Sequence, residues 1–548
     1  MPERSPCASM AIVRCARRYG QRECIVRLFV NQQARRLAEV SLMGKLPESS
    51  SLRVLSVQIL SHALMFGVQN TGGLAERALL VADTAATATL GVSWIAFCLL
   101  QAFTVNMVNV CPLVVGRCTG DRDNDGARAA AGHALLLAAG WGAVGIVLAV
   151  AGGVAAALAG GPTRAGALFF ATQALALGPL LGTKALTGYF TGTMRVGPRL
   201  LAAVSATPIA VHLALAWLLT DLLSWSVVGA GLARLGAALV AAVATLAVAR
   251  AEFGGLLAPV RRPDRALLRA MFAEGSVLGL QQVVAGFMVL LLHLMAIRAG
   301  DIPCAALTLT LSCVYPLLFS FAWGSSQVVG AAAAQAIGRG DNRELARVTR
   351  RCLGLSVVLA FALPWGAFAL CGRPALAWLI GGSPSGGAVL TASVHLMGLL
   401  AVFFVFDFAI NFLSALLRAA REQAYLLKAT VAVACVFGGL LLVLPSRADG
   451  ICQMGSFIAV QAVWAVLLLL RVAGRWPGTA CRGTESKSRP GTKIAGRAMP
   501  DERAIDFTYR SRRAEIVIPD DTPLLGSSQG SRHQRRLLRT QGTTMASQ

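Results

Sequence analysis

Charge is scarce in this sequence. Only 14% of its 548 residues are Asp, Glu, Lys or Arg, against 56% hydrophobic. A soluble domain of that length needs far more charge on its surface, so a large soluble α-helical protein is excluded. The motifs of nucleotide and hydrolytic chemistry are missing too. There is no Walker A sequence, nucleophile elbow, H-E-x-x-H or Rossmann fingerprint. No enzyme activity is therefore expected, and an ion gradient replaces bound ATP as the expected source of energy. The 13 cysteines are scattered, without a C-x-x-C pair or a ligand spacing. Neither a disulfide framework nor a metal site is expected. Cys98, Cys111, Cys304, Cys313 and Cys435 lie in apolar runs, where Cys acts as a small apolar residue. Aromatics make up only 7%, and Ala, Gly, Leu and Val dominate, as in closely packed membrane helices.

What the sequence has is long apolar runs. They recur at roughly membrane-spanning length, about 20 residues each. Twelve spans are predicted near 54–78, 84–116, 128–159, 166–190, 199–220, 226–249, 268–297, 303–336, 348–372, 386–416, 424–445 and 451–472. The second and eighth are long, which implies tilt or extension beyond the bilayer. The formal net charge of +24 does not point to nucleic acid, because much of it lies in the tails and in alternate loops. The even-numbered loops carry clusters such as Arg117/Arg122/Arg128, Arg195/Arg199, Arg339/Arg343/Arg347 and Arg418/Arg421. The odd-numbered loops carry about one arginine each. The positive-inside rule then places the even loops and both termini in the cytoplasm. The expected location is the plasma or inner membrane.

The chain is internally repeated. Asp83 to Asn124 matches Asp301 to Asn342 without a gap, pairing Phe103 with Phe321, Val110 with Val328 and Gly120 with Gly338. Each copy is an apolar helix ending in a Gly-x-x-Asp-Asn turn, whose role is read as helix capping. Asp83 and Asp301 are likewise read as caps. A second landmark pairs Met194-Arg195-Val196-Gly197 with Leu417-Arg418-Ala419-Ala420. Two landmarks in one order imply two homologous halves, a frequent plan for secondary transporters. The expected fold is an all-α integral membrane protein with twelve transmembrane helices in two pseudo-symmetric six-helix bundles. Its parts are a basic disordered leader (1–52), a first bundle (53–249), a cytoplasmic linking loop (250–267), a second bundle (268–474) and a basic disordered tail (475–548). The leader lacks a signal-peptide core, because Arg27 interrupts the run from Cys24 to Val30. Arg-rich patches of the tails can meet anionic lipid headgroups, although a solvated tail is the plainer reading.

Ionisable and polar groups inside spans are costly, so each is a functional candidate. Asp407 lies in the aromatic run Phe403-Phe404-Val405-Phe406-Asp407-Phe408, with Asn411 one turn on. Such a carboxylate can exchange a proton, or bind Na⁺ or a cationic substrate. The competing reading is a structural carboxylate satisfied by a neighbouring helix. Lys184 in span four either pairs with a carboxylate or reaches an interface. The residues Gln58, His62, Gln69, Asn70, Asn106, Asn109, Gln281, Gln282 and Gln327 either line a central cavity or join helices across it. His133, His212, His293 and His395 read as helix-packing hydrogen bonders.

With these residues in place, the chain resembles the MATE (multidrug and toxic compound extrusion) family of the wider flippase superfamily. The resemblance covers about 54–472 and rests on the two six-helix halves, each with a span-two exit that resembles G-x-G-D followed by a basic helix. Its best local match is Asp407, which precedes Leu417-Arg418-Ala419 at the spacing of an acidic residue in one branch of the family. The resemblance implies a role in cation coupling for Asp407. Two departures stand out. The family's span-one Asp falls on Gln69, with His62 in the place of the preceding Gln, and its span-seven Glu falls near Gln281-Gln282. An amide cannot carry a proton, so coupling is expected to lean on Asp407. The implied activity is export of a small organic molecule, cationic or amphiphilic, by H⁺ or Na⁺ antiport from a monomer. Alternatives are a lipid-linked oligosaccharide flippase, disfavoured because the spans offer mainly Lys184 and Arg234 to hold phosphates, and a membrane receptor or scaffold.

Overall fold

The computed structural model describes residues 51–80, 97–253, 263–380, 386–443 and 450–475. Residues 1–50 of the expected leader, 476–548 of the expected tail, 254–262 of the linking loop and Asp83 lie outside them, as do the side chains of Gln69 and Asn70. The described chain is helical, without strands. In order the helices are α1 (Leu52–Leu80), α2 (Phe97–Gly120), α3 (Asn124–Leu158), α4 (Gly161–Gly192), α5 (Pro198–Leu222) and α6 (Ser226–Phe253). There follow α7 (Arg265–Ala299), α8 (Ile302–Gly338), α9 (Asn342–Leu370, continuing as helix to Ile380), α10 (Gly386–Ala419), α11 (Gln423–Val443) and α12 (Gly450–Arg475). Among the described residues, 11 helices are long and apolar enough to cross a membrane, and α1 opens with the shorter apolar stretch Leu52–Gly67. These positions match the twelve expected spans.

Three of the four described π-helical stretches share one cause; the fourth, Trp217–Leu222 at the end of α5, precedes no proline. In α5, α8 and α9 a π-helical stretch (Ala202–Ala206, Leu309–Val314 and Val358–Ala362) ends just before Pro208, Pro316 and Pro364. Proline has no N–H and its ring crowds the carbonyl one turn back. A π turn widens the helix there and absorbs the clash. In α2 the helix is instead interrupted by a turn at Asn109 and Val110, ahead of Pro112. The long span two is therefore two helical pieces, because Pro112 cannot continue the helical hydrogen bonding of the first.

The repeat is visible in the turns. After α2, α4, α8 and α10 the chain takes the same left-handed C-terminal turn, at Arg122 (φ 62), Met194 (φ 56), Gly340 (φ 67) and Arg421 (φ 63). Each is closed by the same backbone bond: Asp123 N–H to Cys118 O (2.8 Å), Arg195 to Phe190 (2.8 Å), Asp341 to Ala336 (3.1 Å) and Glu422 to Leu417 (2.9 Å). This confirms the first landmark and corrects the second. Met194 is equivalent to Arg421 rather than to Leu417, one helical turn further on. Glycine marks only one of the four turns, so the left-handed residue in the others left no sequence signal. Asp123 and Asp341 cap α3 and α9, accepting from Gly126 N (2.8 Å) and Glu344 N (2.9 Å). The Glu344 amide holds the Asp341 carboxyl below the ordinary carboxylate range. The helix that opens α8 starts at Asp301, with Gly300 in the cap position, and the Asp301 side chain lies outside the described residues.

Each half has its own apolar core. In the first, α2 to α5 contribute Val115, Ala130, Leu181, Phe190 and Leu200. In the second, α10 to α12 contribute Leu400, Phe403, Phe437, Phe457 and Leu468. The two are joined by α7, which sends Met271 and Leu278 into the first core and Met288 and Leu292 into the second. A third core forms where α8 lies against α1 and α2, around Ile59, Leu113, Val328 and Ala332. At the Arg-rich end this seam is backbone on backbone. A Cβ on Gly120 would stand 2.1 Å from the Gln335 carbonyl oxygen, and one on Gly338 would stand 2.2 Å from that of Arg117. Small residues permit this approach, which supplies dispersion contacts where lipid offers no hydrophobic drive.

Candidate functional site

Three polar groups sit where the helices converge. The first is built on α10. Phe403, Phe404 and Phe408 are buried in the apolar cores, and Asp407 is half-buried between them. The Tyr315 hydroxyl of α8 donates to Asp407 Oδ2. The Asn411 amide donates to Oδ1 at 3.2 Å and to the Asp407 carbonyl at 2.8 Å. Pro316 accounts for Tyr315: the π stretch ends at Val314, and Tyr315 is the first residue of the reset helix. Ionised, the carboxylate accepts both side-chain bonds. Protonated, it donates one, and the phenol can turn to accept it. The pair keeps a hydrogen bond in both proton states.

The second group is a pocket between α1, α2, α4, α5 and α8. Its walls include His62, Asn109, Lys184, Thr187, Thr191, Trp323 and Gln327, around a cavity of about 20 Å³. That is room for about one water molecule. Lys184 Nζ stands 5.4 Å from the centre of the Trp323 ring. His62 Nδ1 faces the Gln58 carbonyl at 2.8 Å, so that nitrogen carries a proton, and Nε2 faces Thr191 Oγ at 2.9 Å. The Thr191 hydroxyl also lies 2.9 Å from the Thr187 carbonyl. It therefore donates either to His62 or along α4, according to whether the imidazole is neutral or charged.

The third group spans the halves at the Arg-rich end. Arg117 of α2 pairs with Glu274 of α7 at 3.2 Å and donates to the Ala419 carbonyl of α10 at 3.5 Å. Arg421 and Gln423 also reach Glu274, at 3.6 and 3.4 Å. Glu274 is 23% exposed, so Glu274→Gln is expected to cost about 2 kcal/mol, below the ~3–5 kcal/mol of a fully buried pair. Hydrogen exchange should quicken at the Arg-rich ends of α2 and α10. Unchanged exchange there would show that these ion pairs do not hold the seam.

Depth is similar for the first two groups. At about 1.5 Å per residue, His62, Lys184 and Asp407 lie roughly 12–18 Å from the Arg-rich helix ends. Of the residues singled out from sequence, the structure brings His62, Lys184, Asn109 and Gln327 into one pocket. Asp407 and Asn411 form a separate cluster. Lys184 pairs with no described carboxylate; it stands over Trp323. Gln58 is not in the pocket, because its amide donates to the Val196 carbonyl at 3.1 Å and ties α1 to the loop after α4. Asn106 touches the pocket only through Asn109, from which it accepts at 3.3 Å. Gln281 is buried with Oε1 unpartnered, and Gln282 is half-buried; neither lines the pocket. Sequence reasoning missed Tyr315, Trp323, Thr187, Thr191 and Glu274. Two signals were present: the spacing Tyr315, Phe319, Trp323 and the spacing Thr183, Thr187, Thr191 each place one stripe on one helix face.

Comparison with known proteins gives a consistent picture. Residues 278–444 match the MatE family model. Among curated proteins none matches. The fold is similar to a multidrug resistance MATE family transporter of the MOP superfamily in an outward-facing conformation, at a TM-score of 0.67 and 17% identity, covering 79% of this chain and 97% of that one. It is also similar to a MOP superfamily transporter from Pyrococcus furiosus described as having a binding pocket of reverse polarity, at 0.63 and 18%, covering 79% and 99%. A eukaryotic MATE transporter matches at 0.63 and 14%, covering 78% and 95%.

Proposed function

We propose that this chain, which carries a MatE domain on the MATE transporter fold, is a secondary active exporter of a small organic molecule, driven by H⁺ or Na⁺ antiport across the plasma or inner membrane. The observation that carries the reading is Asp407, an acid at mid-depth held by Tyr315 and Asn411. A carboxylate at that depth is costly unless it is used. The ion binds Asp407 from the outside. Substrate binds between the halves from the inside, and each ligand favours a different arrangement of the two bundles. Only such differential binding turns an ion gradient into transport. The arginine distribution supports cytoplasmic even loops and termini. On that orientation the seam at Gly120 and Gly338 and the Arg117–Glu274 pair close the cytoplasmic side. The multidrug resistance transporter of similar fold supports a small-molecule cargo.

The test is accumulation of a fluorescent amphiphile in inside-out vesicles under an imposed proton or sodium gradient. Accumulation that follows one gradient is the expected result and names the ion. Accumulation indifferent to both would refute antiport.

A further inference from the structure

We infer that the pocket around Lys184 is an anion site, and that the cargo is an amphiphilic organic acid whose carboxylate Lys184 holds. The inference rests on the transport reading above and adds the charge of the cargo. Among the described residues every ion pair is made by an arginine, and none includes Lys184. An ammonium inside the membrane needs a counter-charge, and its contact with the Trp323 ring recovers only part of the cost of desolvation. The pocket supplies no acid. Around Lys184 it offers the Gln327 amide and the second N–H of the Asn109 amide, while the Thr187 hydroxyl already donates to the Thr183 carbonyl and that of Thr191 to His62 or along α4. This set suits the oxygens of a carboxylate and repels an organic cation.

The apolar path for the rest of the molecule follows α8. Trp323, Phe319 and Tyr315 follow one another along a single face. Phe66 of α1 stacks on Trp323 at 4.8 Å and meets Phe319 edge-on at 6.1 Å, and Phe319 stacks on Tyr315 at 5.3 Å. The stripe runs from Lys184 to the phenol that holds Asp407, roughly 12 Å along the helix. As it stands the cavity beside Lys184 has room for about one water molecule, so it must widen to admit the acid group. The apolar body lies along the aromatic stripe, with one end near the coupling carboxylate.

The experiment is fluorescence polarisation with the purified full-length chain in detergent, using carboxyfluorescein as organic anion and rhodamine 6G as organic cation. Carboxyfluorescein should bind to the wild type. Lys184→Gln should weaken it about tenfold or more, as expected for loss of a charge-assisted bond. Lys184→Arg should restore most of the affinity, which a purely structural lysine does not predict. Stronger binding of rhodamine 6G than of carboxyfluorescein, or equal carboxyfluorescein affinity in wild type and Lys184→Gln, would overturn the inference. Lys184-dependent displacement of the dye by phosphatidylglycerol would assign the site to a lipid headgroup instead, and would also overturn it. If carboxyfluorescein binds through Lys184 but no gradient moves it, the anion site stands and the antiport reading fails.

Discussion

Asp407→Asn is expected to abolish gradient-driven transport while the protein remains folded. Asparagine keeps the volume; its one carbonyl oxygen can accept from Asn411, and its N–H can donate to a Tyr315 hydroxyl turned to accept, the two side chains that hold the wild-type carboxylate. It cannot take up a proton or neutralise Na⁺. Moving a two-state equilibrium from 1:99 to 99:1 needs roughly 10⁴-fold differential affinity, so a variant blind to the ion loses about a hundredfold or more of its driven rate. Exchange of labelled for unlabelled substrate needs no ion and should survive. Asp407→Glu should retain part of the coupling, since the acid is kept and only its reach changes. Tyr315→Phe removes one donor from the carboxylate and should shift the pH or sodium dependence without abolishing transport. If Asp407→Asn accumulates substrate as the wild type does, the carboxylate is structural.

Gly120→Ala and Gly338→Ala are expected to oppose closure at the Arg-rich end. The added carbons would fall 2.1 and 2.2 Å from main-chain carbonyl oxygens of the facing helix. Backbone cannot step aside as a flexible side chain can. Overpacking of this kind costs about 1–3 kcal/mol per site, enough to move a two-state ratio by roughly five- to hundredfold. The closed seam belongs to one state of the cycle, so the penalty falls on that state and the other becomes populated. Spin labels at Arg122 and Gly340 should show the longer distance in each variant, and transport should slow together with that shift. Equal distance distributions in wild type and variants would show that the seam is not a moving part.

Much of the fold was legible because its signals are local. Apolar runs gave the spans, arginine clusters gave the loops, and Asp123 and Asp341 announced their caps. The second repeat landmark was misplaced by one helical turn because three of the four turns place Arg or Met where glycine usually stands. Without glycine, the left-handed position cannot be seen in the sequence. Three of the π stretches could have been anticipated from Pro208, Pro316 and Pro364, but proline alone does not say whether a helix kinks or widens, and the fourth, Trp217–Leu222, precedes no proline. Asp407 and Asn411 were legible because their contact is one helical turn. Tyr315 was not, because its bond to Asp407 joins helices far apart in sequence. Lys184 was singled out, but its partner Trp323 is a neighbour only in the folded chain. Glu274 was not singled out, because only the fold sets Arg117 and Arg421 against it.

The most direct test of ion coupling at Asp407 is ion release on substrate binding. Purified wild-type protein, in weak buffer or loaded with radioactive Na⁺, is mixed with a transported substrate. Substrate and ion favour different states, so the wild type should release protons or sodium, and Asp407→Asn should release neither. Substrate binding without ion release in the wild type, or undiminished release from Asp407→Asn, would contradict coupling through this carboxylate.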